Sequence, residues 1–146
     1  MAEPGIEIVI GDQVDPDFLR VLAEHLGTVD ILIEDGGHRM DQQLNTFREM
    51  WPIVRDGGVY LVEDLHTSYW AEFGGGYRKP GTFIEYAKTL VDSLNAWHSR
   101  DEHSFTVDDH TRTVRGMHFY DSIIVFDKAA VEMPSHLQIG RPTLDS

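Results

Sequence analysis

Apolar segments typical of buried strands alternate with amphipathic helical segments along most of this chain. The strand-like segments are "IEIVIG" (residues 6–11), "VDILIE" (residues 29–34) and "VYLVED" (residues 59–64). This alternation predicts an α/β fold whose sheet is largely parallel. Apolar residues at helical spacing mark the intervening helices, at Phe18, Leu19, Leu22 and Leu26, at Met40, Leu44, Phe47, Trp51 and Val54, and at Phe83, Ala87, Leu90, Leu94 and Trp97.

The C-terminal part of the sequence has a different pattern. Residues 104–129 read as strands, with Asp121 and Ser122 placed for a tight turn between two of them. From about Val131 the sequence becomes polar. We therefore expect one domain over residues 1–130 that ends in an antiparallel hairpin, followed by a polar tail over residues 131–146.

Composition and charge narrow the classes of function. The 146 residues suffice for one domain with a core. Twelve basic against 25 acidic residues give a formal charge of −13, which repels the phosphates of nucleic acids and anionic membranes. The chain has no cysteine, which excludes disulfides and thiolate-metal sites. Because "MAEPGIEIVIGD" lacks the pattern of a signal peptide, we expect a soluble cytoplasmic protein that binds neither nucleic acid nor membranes.

Two strand-like segments, "DILIEDGGH" and "VYLVEDLH", each end in two adjacent acids with a histidine shortly after. Ligands of such sheets bind at the carboxyl ends of the strands, so Asp35, Glu63 and Asp64 converge if the two strands are neighbours. Three carboxylates without a cysteine suit Mg²⁺ or Mn²⁺ rather than a soft metal. His38 then lies beside the metal, where a neutral imidazole can act as a general base.

A structural interpretation of the same residues stays open. Asp35 can simply cap the helix that follows, and acids at strand ends are common on protein surfaces. His66 begins a long loop and is a weaker candidate than His38. The other histidines have no metal-ligand spacing and are interpreted as structural or surface residues: His25, His98, His103, His110, His118 and His136.

The stretch "LHTSYWAEFGGGYRKPG" is rich in glycine and aromatic residues, and its length favours a functional loop over a mere connector. Its glycine triplet does not match a phosphate-binding loop, because no strand leads into it and no helix follows directly. The triplet is better interpreted as a hinge for a lid. Two interpretations, a substrate lid or packing under the loop, remain open for the aromatic residues Tyr69, Trp70, Phe73 and Tyr77.

Three motifs in this order and spacing carry a family resemblance: "DILIEDGGH", "GGVYLVEDLHTSYW" and "HFYDSIIVFDK". Up to about Lys128, the chain resembles the metal-dependent sugar O-methyltransferases of macrolide and related antibiotic pathways, such as the mycinamicin and tetracenomycin-type enzymes. The resemblance implies a Rossmann-like class I methyltransferase fold with S-adenosylmethionine and Mg²⁺ as cofactors. It also implies a small-molecule substrate, a sugar or another vicinal diol.

Carried over by position, the resemblance implies roles for individual residues. The metal ligands would be Asp35, Glu63 and Asp64, with His38 as the catalytic base that takes a proton from one of two neighbouring hydroxyls. The alkoxide would then attack the methyl group in line. The implied cofactor-binding residues are Gly11, Asp12 and Gln13, near the adenine, and Glu34, Asp35 and Gly36, beside its other edge.

The chain departs from the family at its start. The family begins with two strands that carry a glycine-rich turn and an acid for the cofactor, and neither feature precedes "IEIVIGD". The chain therefore resembles the C-terminal part of the catalytic domain, with a truncated sheet over residues 1–130. Without those strands, "VDILIE" would have a bare apolar edge. We expect either that "IEIVIG" moves in beside it or that two chains pair through that edge in a homo-oligomer.

Three functions remain open at this point. The leading one is Mg²⁺-dependent O-methyl transfer, with an inactive truncated form included. The second is a non-catalytic remnant of the methyltransferase fold that oligomerises or complements a partner chain. The third is a metal-dependent hydrolase or hydroxylase, because carboxylates with a histidine also suit metal-activated water.

Overall fold

The computed structural model of this protein describes residues 4–101 and 103–140. None of the helices in these residues is long and apolar enough to cross a membrane. Short 3-10 helices lie at Trp51–Ile53, Leu65–Tyr69, Ala71–Phe73 and Ala96–His98. The other helices and the strands are α1 (Pro16–Leu26), β1 (Val29–Glu34), α2 (Met40–Met50), β2 (Val54–Val62), α3 (Phe83–Asn95), α4 (Asp109–Thr113), β3 (Val114–Tyr120) and β4 (Ile123–Lys128).

Local sequence signals explain where the predicted helices begin and end. The side chain of Asp15 accepts a hydrogen bond from the backbone N–H of Asp17 and caps α1, which ends at Gly27 with a positive φ of 68°. Helix α2 tightens into a 3-10 turn at Trp51–Ile53, where Pro52 has no N–H to continue the helix. The three helices predicted from apolar spacing are therefore confirmed.

The four strands form one sheet in the order β1-β2-β4-β3. Strands β1 and β2 are parallel, whereas β4 is antiparallel to both β2 and β3. The α/β class and the C-terminal hairpin are thus confirmed, and the hairpin turns at Asp121 and Ser122 as predicted. The sheet is mixed rather than largely parallel, because β4 takes the position beside β2.

Two expectations for individual segments are wrong. Residues 6–11 form no strand, and Ile8 and Ile10 are 67% and 92% exposed. This segment does not move in beside β1, which lies at the edge of the sheet, so it lacks the ladder partner that a strand requires. The first part of the predicted C-terminal strands is instead the short helix α4, which Asp108 and Thr111 begin with a capping box.

One face of the sheet is buried and holds the core. Tyr60, Val62, Ile124 and Phe126 lie on this face with at most 1% exposure. The ring of Phe47 from α2 packs against the rings of Tyr60 and Phe126, at centroid distances of 5.1 and 4.9 Å. The opposite face is less covered.

That opposite face carries branched apolar side chains. Ile31 and Ile33 of β1 are 67% and 59% exposed, and they pair in register with half-buried Val59 and Leu61 of β2. Parallel strands are usually covered on both faces, so this surface is unusual for an isolated domain.

The predicted tail shows no helix or strand over residues 131–140, and residues 141–146 lie outside the described residues. The division of the chain at residue 130 stays a prediction.

Candidate functional site

The parallel pairing of β1 and β2 brings both acid pairs to one edge of the sheet. Glu34 pairs with Val62 in register, and the backbone N–H of Glu63 donates to the carbonyl of Glu34 at 3.0 Å. Asp35 follows directly on the end of β1, and Asp64 lies two residues after the end of β2. The predicted convergence of the two motifs therefore occurs, because the strands are neighbours.

Asp35, His38 and Asp64 form a cluster whose potential ligand atoms all lie within 4.8 Å of one another. His38 Nε2 lies 3.4 Å from Asp64 Oδ2 and 3.9 Å from Asp35 Oδ1. The two carboxylates are about half exposed, whereas the imidazole is mostly buried. The cluster is thus open to solvent on its carboxylate side and has the histidine beneath it.

The backbone at this cluster has a rare conformation. His38 and Asp64 have φ values of 56° and 53°, in the left-handed region that non-glycine residues seldom adopt. The buried hydroxyl of Thr67 lies 3.0 Å from the His38 carbonyl and 2.8 Å from the Asp64 carbonyl, and it can donate to either. Residues in such conformations are concentrated at functional sites, where the surrounding structure holds them in place.

Asp35 does not cap the helix that follows it. Helix α2 has Arg39 at its N-cap, and the side chain of Gln42 accepts from the Arg39 backbone N–H at 3.2 Å. The interpretation of Asp35 as a helix cap is therefore wrong, whereas its interpretation as a surface acid stays open.

Glu63 lies outside the cluster. The Glu63 carbonyl accepts a hydrogen bond from Gln43 Nε2 at 3.3 Å, and Glu63 is half-buried. The structure thus brings together three of the four residues that sequence analysis placed at the metal site, and the role of Glu63 as a ligand stays a prediction.

Gln13 joins the N-terminal segment to the turn after β1. Its Nε2 donates to Glu34 Oε1 at 2.5 Å and to Thr46 Oγ1 at 2.9 Å. Its Oε1 accepts from the backbone N–H of Gly37 at 3.2 Å. A Cβ on Gly36 would lie 2.3 Å from this oxygen, so a larger residue there would displace the Gln13 amide from its present position.

Glu34 lies beneath the site and is only 2% exposed. Burial raises the pKa of its carboxyl, while hydrogen bonds from Gln13 and the Gly36 backbone act in the opposite direction. Its Oε2 has no hydrogen-bond partner among the described residues. Cofactor binding by Glu34 therefore stays a prediction.

The other implied cofactor residues lie near one recess. Gly11 and Gln13 line an open cavity of about 270 Å³ together with Leu32 and Ile33 of β1. Asp12 accepts from the Val14 N–H at 2.9 Å and shapes the turn before α1. Gln13 contacts the end of β1 through Glu34, and cofactor binding by Gly11, Asp12 and Gln13 remains a prediction.

His66 is closer to the site than sequence analysis indicated. Its Nδ1 lies 3.9 Å from Asp64 Oδ1 and 2.6 Å from the hydroxyl of Ser122 in the hairpin turn. The ring of Trp70 packs edge-on against it at 4.6 Å. Sequence analysis missed Thr67 and Ser122, because both reach the site through contacts with residues distant in the chain.

The donor set fits a hard divalent ion. Asp35 and Asp64 present carboxylate oxygens to solvent within one cluster, and the chain has no cysteine that would favour a softer metal. Exposed oxygen donors also leave room for water or substrate oxygens around an ion. Mg²⁺ therefore suits the residues present.

Comparison with known proteins gives one matching family model and several similar curated sequences. Residues 6–65 match the family model of a methyltransferase domain. The chain is 36% identical over 129 residues to 8-demethyl-8-alpha-L-rhamnosyl tetracenomycin-C 2'-O-methyltransferase of Streptomyces olivaceus, with 88% of this chain and 34% of that protein covered. It is 38% identical over 130 residues to demethylmacrocin O-methyltransferase of Streptomyces fradiae, with 86% and 33% covered.

Solved structures of a methyltransferase also match this chain. The MycE methyltransferase from the mycinamycin biosynthetic pathway, in complex with Mg and SAH, superposes with a TM-score of 0.81 at 32% identity. The match covers 88% of this chain and 34% of that chain. A second MycE structure, which also contains mycinamycin VI, gives a TM-score of 0.79. The chain thus spans about one third of the length of the relatives it matches.

Proposed function

This chain is related, over most of its length, to one part of the S-adenosylmethionine-dependent sugar O-methyltransferases, and on that premise we propose that it serves Mg²⁺-dependent methyl transfer to a hydroxyl of a sugar or other vicinal diol. The relatives act in antibiotic biosynthesis by their names, and we extend that setting to this chain as part of the proposal. The expected cytoplasmic location also stays part of it.

The observation that carries this proposal is the cluster of Asp35, His38 and Asp64 at the end of two parallel strands. Two of the three residues have left-handed backbones that one buried threonine supports. A surface arrangement of acids would need neither the rare conformation nor its support. The geometry is therefore better explained by a site than by chance.

His38 is proposed as the base that takes the hydroxyl proton. Its Nε2 faces the carboxylates, whereas its Nδ1 is buried without a partner among the described residues. A neutral ring accepts a proton at Nε2 only when Nδ1 carries its hydrogen, so this orientation suits a base directed at the site. The Thr67 hydroxyl supports the backbone of His38 through its carbonyl.

Asp35 and Asp64, with Glu63 beside them, would hold the metal ion and so fix two neighbouring hydroxyls of the acceptor next to His38. Mg²⁺ bound there would polarise a hydroxyl and lower its pKa. S-adenosylmethionine would be the methyl donor, bound beside Gly11–Gln13 and the turn of Glu34, Asp35 and Gly36. The contribution of the chain's own residues is positioning and proton removal.

A non-catalytic function is the second candidate, and the exposed strand β1 favours it. Because Ile31 and Ile33 are largely exposed at the sheet edge, a second copy or a complementing chain can pair there. We propose a homo-oligomer through this edge. The metal-dependent hydrolase is less favoured, since the relatives are named as methyltransferases.

The first test measures Mg²⁺ binding by isothermal titration calorimetry in wild type and Asp64→Asn. Asparagine tolerates the left-handed backbone at this position, so the variant removes charge without forcing a new conformation. We expect Mg²⁺ binding to be lost in Asp64→Asn and unchanged in Asp92→Asn, an exposed aspartate on α3. Equal Mg²⁺ binding in all three proteins contradicts the proposed metal site.

The second test titrates S-adenosylhomocysteine with and without Mg²⁺. Micromolar binding of S-adenosylhomocysteine that is lost in Gln13→Ala supports a functional cofactor-binding site and justifies a screen of acceptor substrates. Mg²⁺ binding without S-adenosylhomocysteine binding favours the non-catalytic function instead.

A further inference from the structure

Four buried polar atoms of the site region have no hydrogen-bond partner among the described residues. They are Glu34 Oε2, His38 Nδ1, Gln43 Oε1 and the hydroxyl of Tyr60. The residues Glu34, Gln43 and Tyr60 are at most 2% exposed. Folded proteins seldom leave a buried polar atom unpaired, because water is then lost without a replacement. These atoms therefore need a common explanation if they lie together.

Glu34 lies at the centre of the four side chains. Tyr60 pairs in register with Leu32, two residues before Glu34, and both Tyr60 and Glu34 are on the buried face of the sheet. Gln43 reaches the same strand ends from α2, because its Nε2 donates to the Glu63 carbonyl at 3.3 Å. The N–H of Glu63 in turn donates to the Glu34 carbonyl.

The mutual effects of the charges also place these groups close together. Burial raises the pKa of the Glu34 carboxyl, while hydrogen bonds to it and the positive charge of His38 lower that pKa. Burial raises the pKa of the Tyr60 hydroxyl, and the negative charge of Glu34 raises it further. Glu34 thus interacts with both His38 and Tyr60.

The hydrogen-bonding capacities of the four atoms match those of one water molecule. Glu34 Oε2 and Gln43 Oε1 are acceptors, and the Tyr60 hydroxyl can donate. His38 Nδ1 is the second donor if it carries the ring hydrogen. A water offers two hydrogens and two lone pairs, and buried waters typically bind otherwise unpaired groups of this kind. With its hydrogen on Nε2, His38 would add a third acceptor that the two water hydrogens cannot serve.

We propose that a buried water joins these atoms and that Glu34 is thereby a positioning residue for His38. The water accepts from the His38 Nδ1 hydrogen and donates to Glu34 Oε2. Nε2 is then left without a hydrogen and can take a proton at the metal cluster. Gln13 fixes the same carboxylate by donating to its Oε1 at 2.5 Å. The inference rests on the proposed function, because it concerns the histidine proposed as the base.

The experiment determines which ring nitrogen of His38 carries the hydrogen. Long-range ¹H–¹⁵N NMR spectra of protein labelled in histidine report this tautomer, and the signals lost in His38→Gln identify the residue. Mg²⁺ is present, because a bound metal occupies the carboxylates of Asp35 and Asp64 that would otherwise accept a hydrogen from Nε2.

We expect the Nδ1–H form to predominate in wild type and to become the minor form in Glu34→Gln. The amide has no charge, and its N–H group competes for the lone pairs of the water. Glu49→Gln is the matched control, since Glu49 is a partly exposed carboxylate on α2, and it should keep the wild-type tautomer. A purely structural role of Glu34 would leave the tautomer unchanged in every variant that folds.

A predominant Nε2–H form in Mg²⁺-bound wild type overturns the inference, as does an unchanged Nδ1–H form in Glu34→Gln. A high-resolution crystal structure of wild type is the second measurement, which does not depend on the folding of a variant. It should show a water within hydrogen-bond distance of Glu34 Oε2 and His38 Nδ1, and a structure without that water overturns the inference.

Mg²⁺ titration separates this inference from the proposed function. If wild type binds no Mg²⁺, the proposed metal-dependent function fails, and the water in the crystal structure alone decides whether the inference stands. If Mg²⁺ binding is lost in Asp64→Asn while His38 of wild type carries its hydrogen on Nε2, the metal site stands and the inference fails.

Discussion

His38 and Asp64 carry left-handed backbones at the site, a conformation that costs of the order of 1–3 kcal/mol for each non-glycine residue. Thr67 offsets this cost from a buried position, with 1% exposure. The Asp64 carbonyl also accepts a hydrogen bond from the Thr67 backbone N–H at 3.1 Å. Among the described residues, the His38 carbonyl has the Thr67 hydroxyl as its donor. The threonine hydroxyl therefore supports His38 most of all.

Thr67→Val removes the hydroxyl while it keeps the shape of the side chain. We expect Mg²⁺ affinity to fall roughly tenfold, as for other residues that orient metal ligands, because the turn at His38 and Asp64 loses its support. The free energy of unfolding should fall by about 1–3 kcal/mol, since the two carbonyls lose a buried donor. Calorimetric titration and urea unfolding measure the two effects.

Thr67→Ser is the matched control, because it keeps the hydroxyl. Its Mg²⁺ affinity should stay close to that of wild type. A Thr67→Val protein that binds Mg²⁺ as tightly as wild type shows that the threonine does not position the site.

Sequence analysis predicted that Asp35, His38 and Asp64 lie together, and they do. The position of Glu63 outside the cluster did not follow from the sequence, because both acids at the end of β2 match the same motif. It also missed the support from Thr67, which is 29 residues from His38 in the chain. Strand ends can be located from local patterns, whereas contacts that orient side chains depend on long-range packing.

Strand β4 is joined to the end of α2 through a buried lysine. Lys128 Nζ donates to the carbonyls of Trp51 and Pro52 at 2.8 and 2.9 Å. It also lies 5.0 Å from the centroid of the Trp51 ring. Burial lowers the pKa of Lys128, although Asp56 acts in the opposite direction. The lysine is thus a donor to the Pro52 carbonyl and a second donor to the Trp51 carbonyl, which also accepts from the backbone N–H of Val54.

Lys128→Met tests this connection, because methionine fills similar space without a donor. The free energy of unfolding should fall by about 1–3 kcal/mol, since the Pro52 carbonyl loses its donor and the Trp51 carbonyl keeps only the Val54 N–H. Lys88→Met is the control, because Lys88 forms an exposed pair with Glu85 on α3. Equal stability of the two variants in urea unfolding contradicts the role of Lys128.

Helix α4 places His110 against the core. The imidazole stacks on Phe47 at 6.0 Å, and its Nε2 lies 3.3 Å from the Tyr86 hydroxyl. Burial lowers the pKa of His110 below its usual 6.5, against the opposing charges of Asp108 and Asp109. Between the folded and unfolded pKa values of His110, the unfolded chain binds more protons than the folded chain. The stability that neutral His110 contributes is therefore complete above about pH 6.5, and it is lost as the pH falls through the lowered pKa of the folded state.

His110→Gln keeps a neutral polar side chain that does not titrate in this range. Between pH 7.5 and pH 5.5, the free energy of unfolding of His110→Gln should therefore fall less than that of wild type. The difference should be roughly 1 kcal/mol for each pH unit that separates the folded from the unfolded pKa of His110. Urea unfolding at both pH values measures the difference. His98→Gln, at an exposed position, should follow wild type, and an unchanged pH dependence in His110→Gln contradicts the prediction.

At the scale of elements, three helices, two strands and the hairpin followed from local patterns. Residues 6–11 did not, although "IEIVIG" has strong strand propensity. A strand needs a partner, and its propensity depends on the surface it packs against. Helix α4 was predicted as a strand because it contains β-branched residues. A local signal, the capping box at Asp108 and Thr111, outweighs their strand propensity.

The molecule as a whole leaves β1 at the sheet edge and one sheet face partly uncovered. Ile31 and Ile33 belong to both surfaces, since they lie on β1 and point to the less covered face. An apolar edge of this kind favours association. The proposed homo-oligomer and complementation by another chain would both bury these isoleucines.

Ile33→Lys tests association at this surface. Light scattering after size exclusion should show a dimer or larger oligomer for wild type and a monomer for Ile33→Lys, because a lysine there opposes edge pairing. Val21→Lys, on the exposed side of α1, is the control and should remain associated. A monomeric wild type contradicts the homo-oligomer and leaves complementation by a different chain as the way to cover β1.

The sheet order has a consequence for how the chain folds while it is being synthesised. Strand β2 ends at Val62, yet its second neighbour β4 begins only at Ile123, and β4 must enter between β2 and β3. Until those residues leave the ribosome, β1 and β2 form an incomplete sheet in which β2 lacks its second hydrogen-bonding neighbour. Nascent chains arrested before Ile123 should therefore remain sensitive to protease and bound to chaperones, whereas release of the hairpin should complete the domain in one late step.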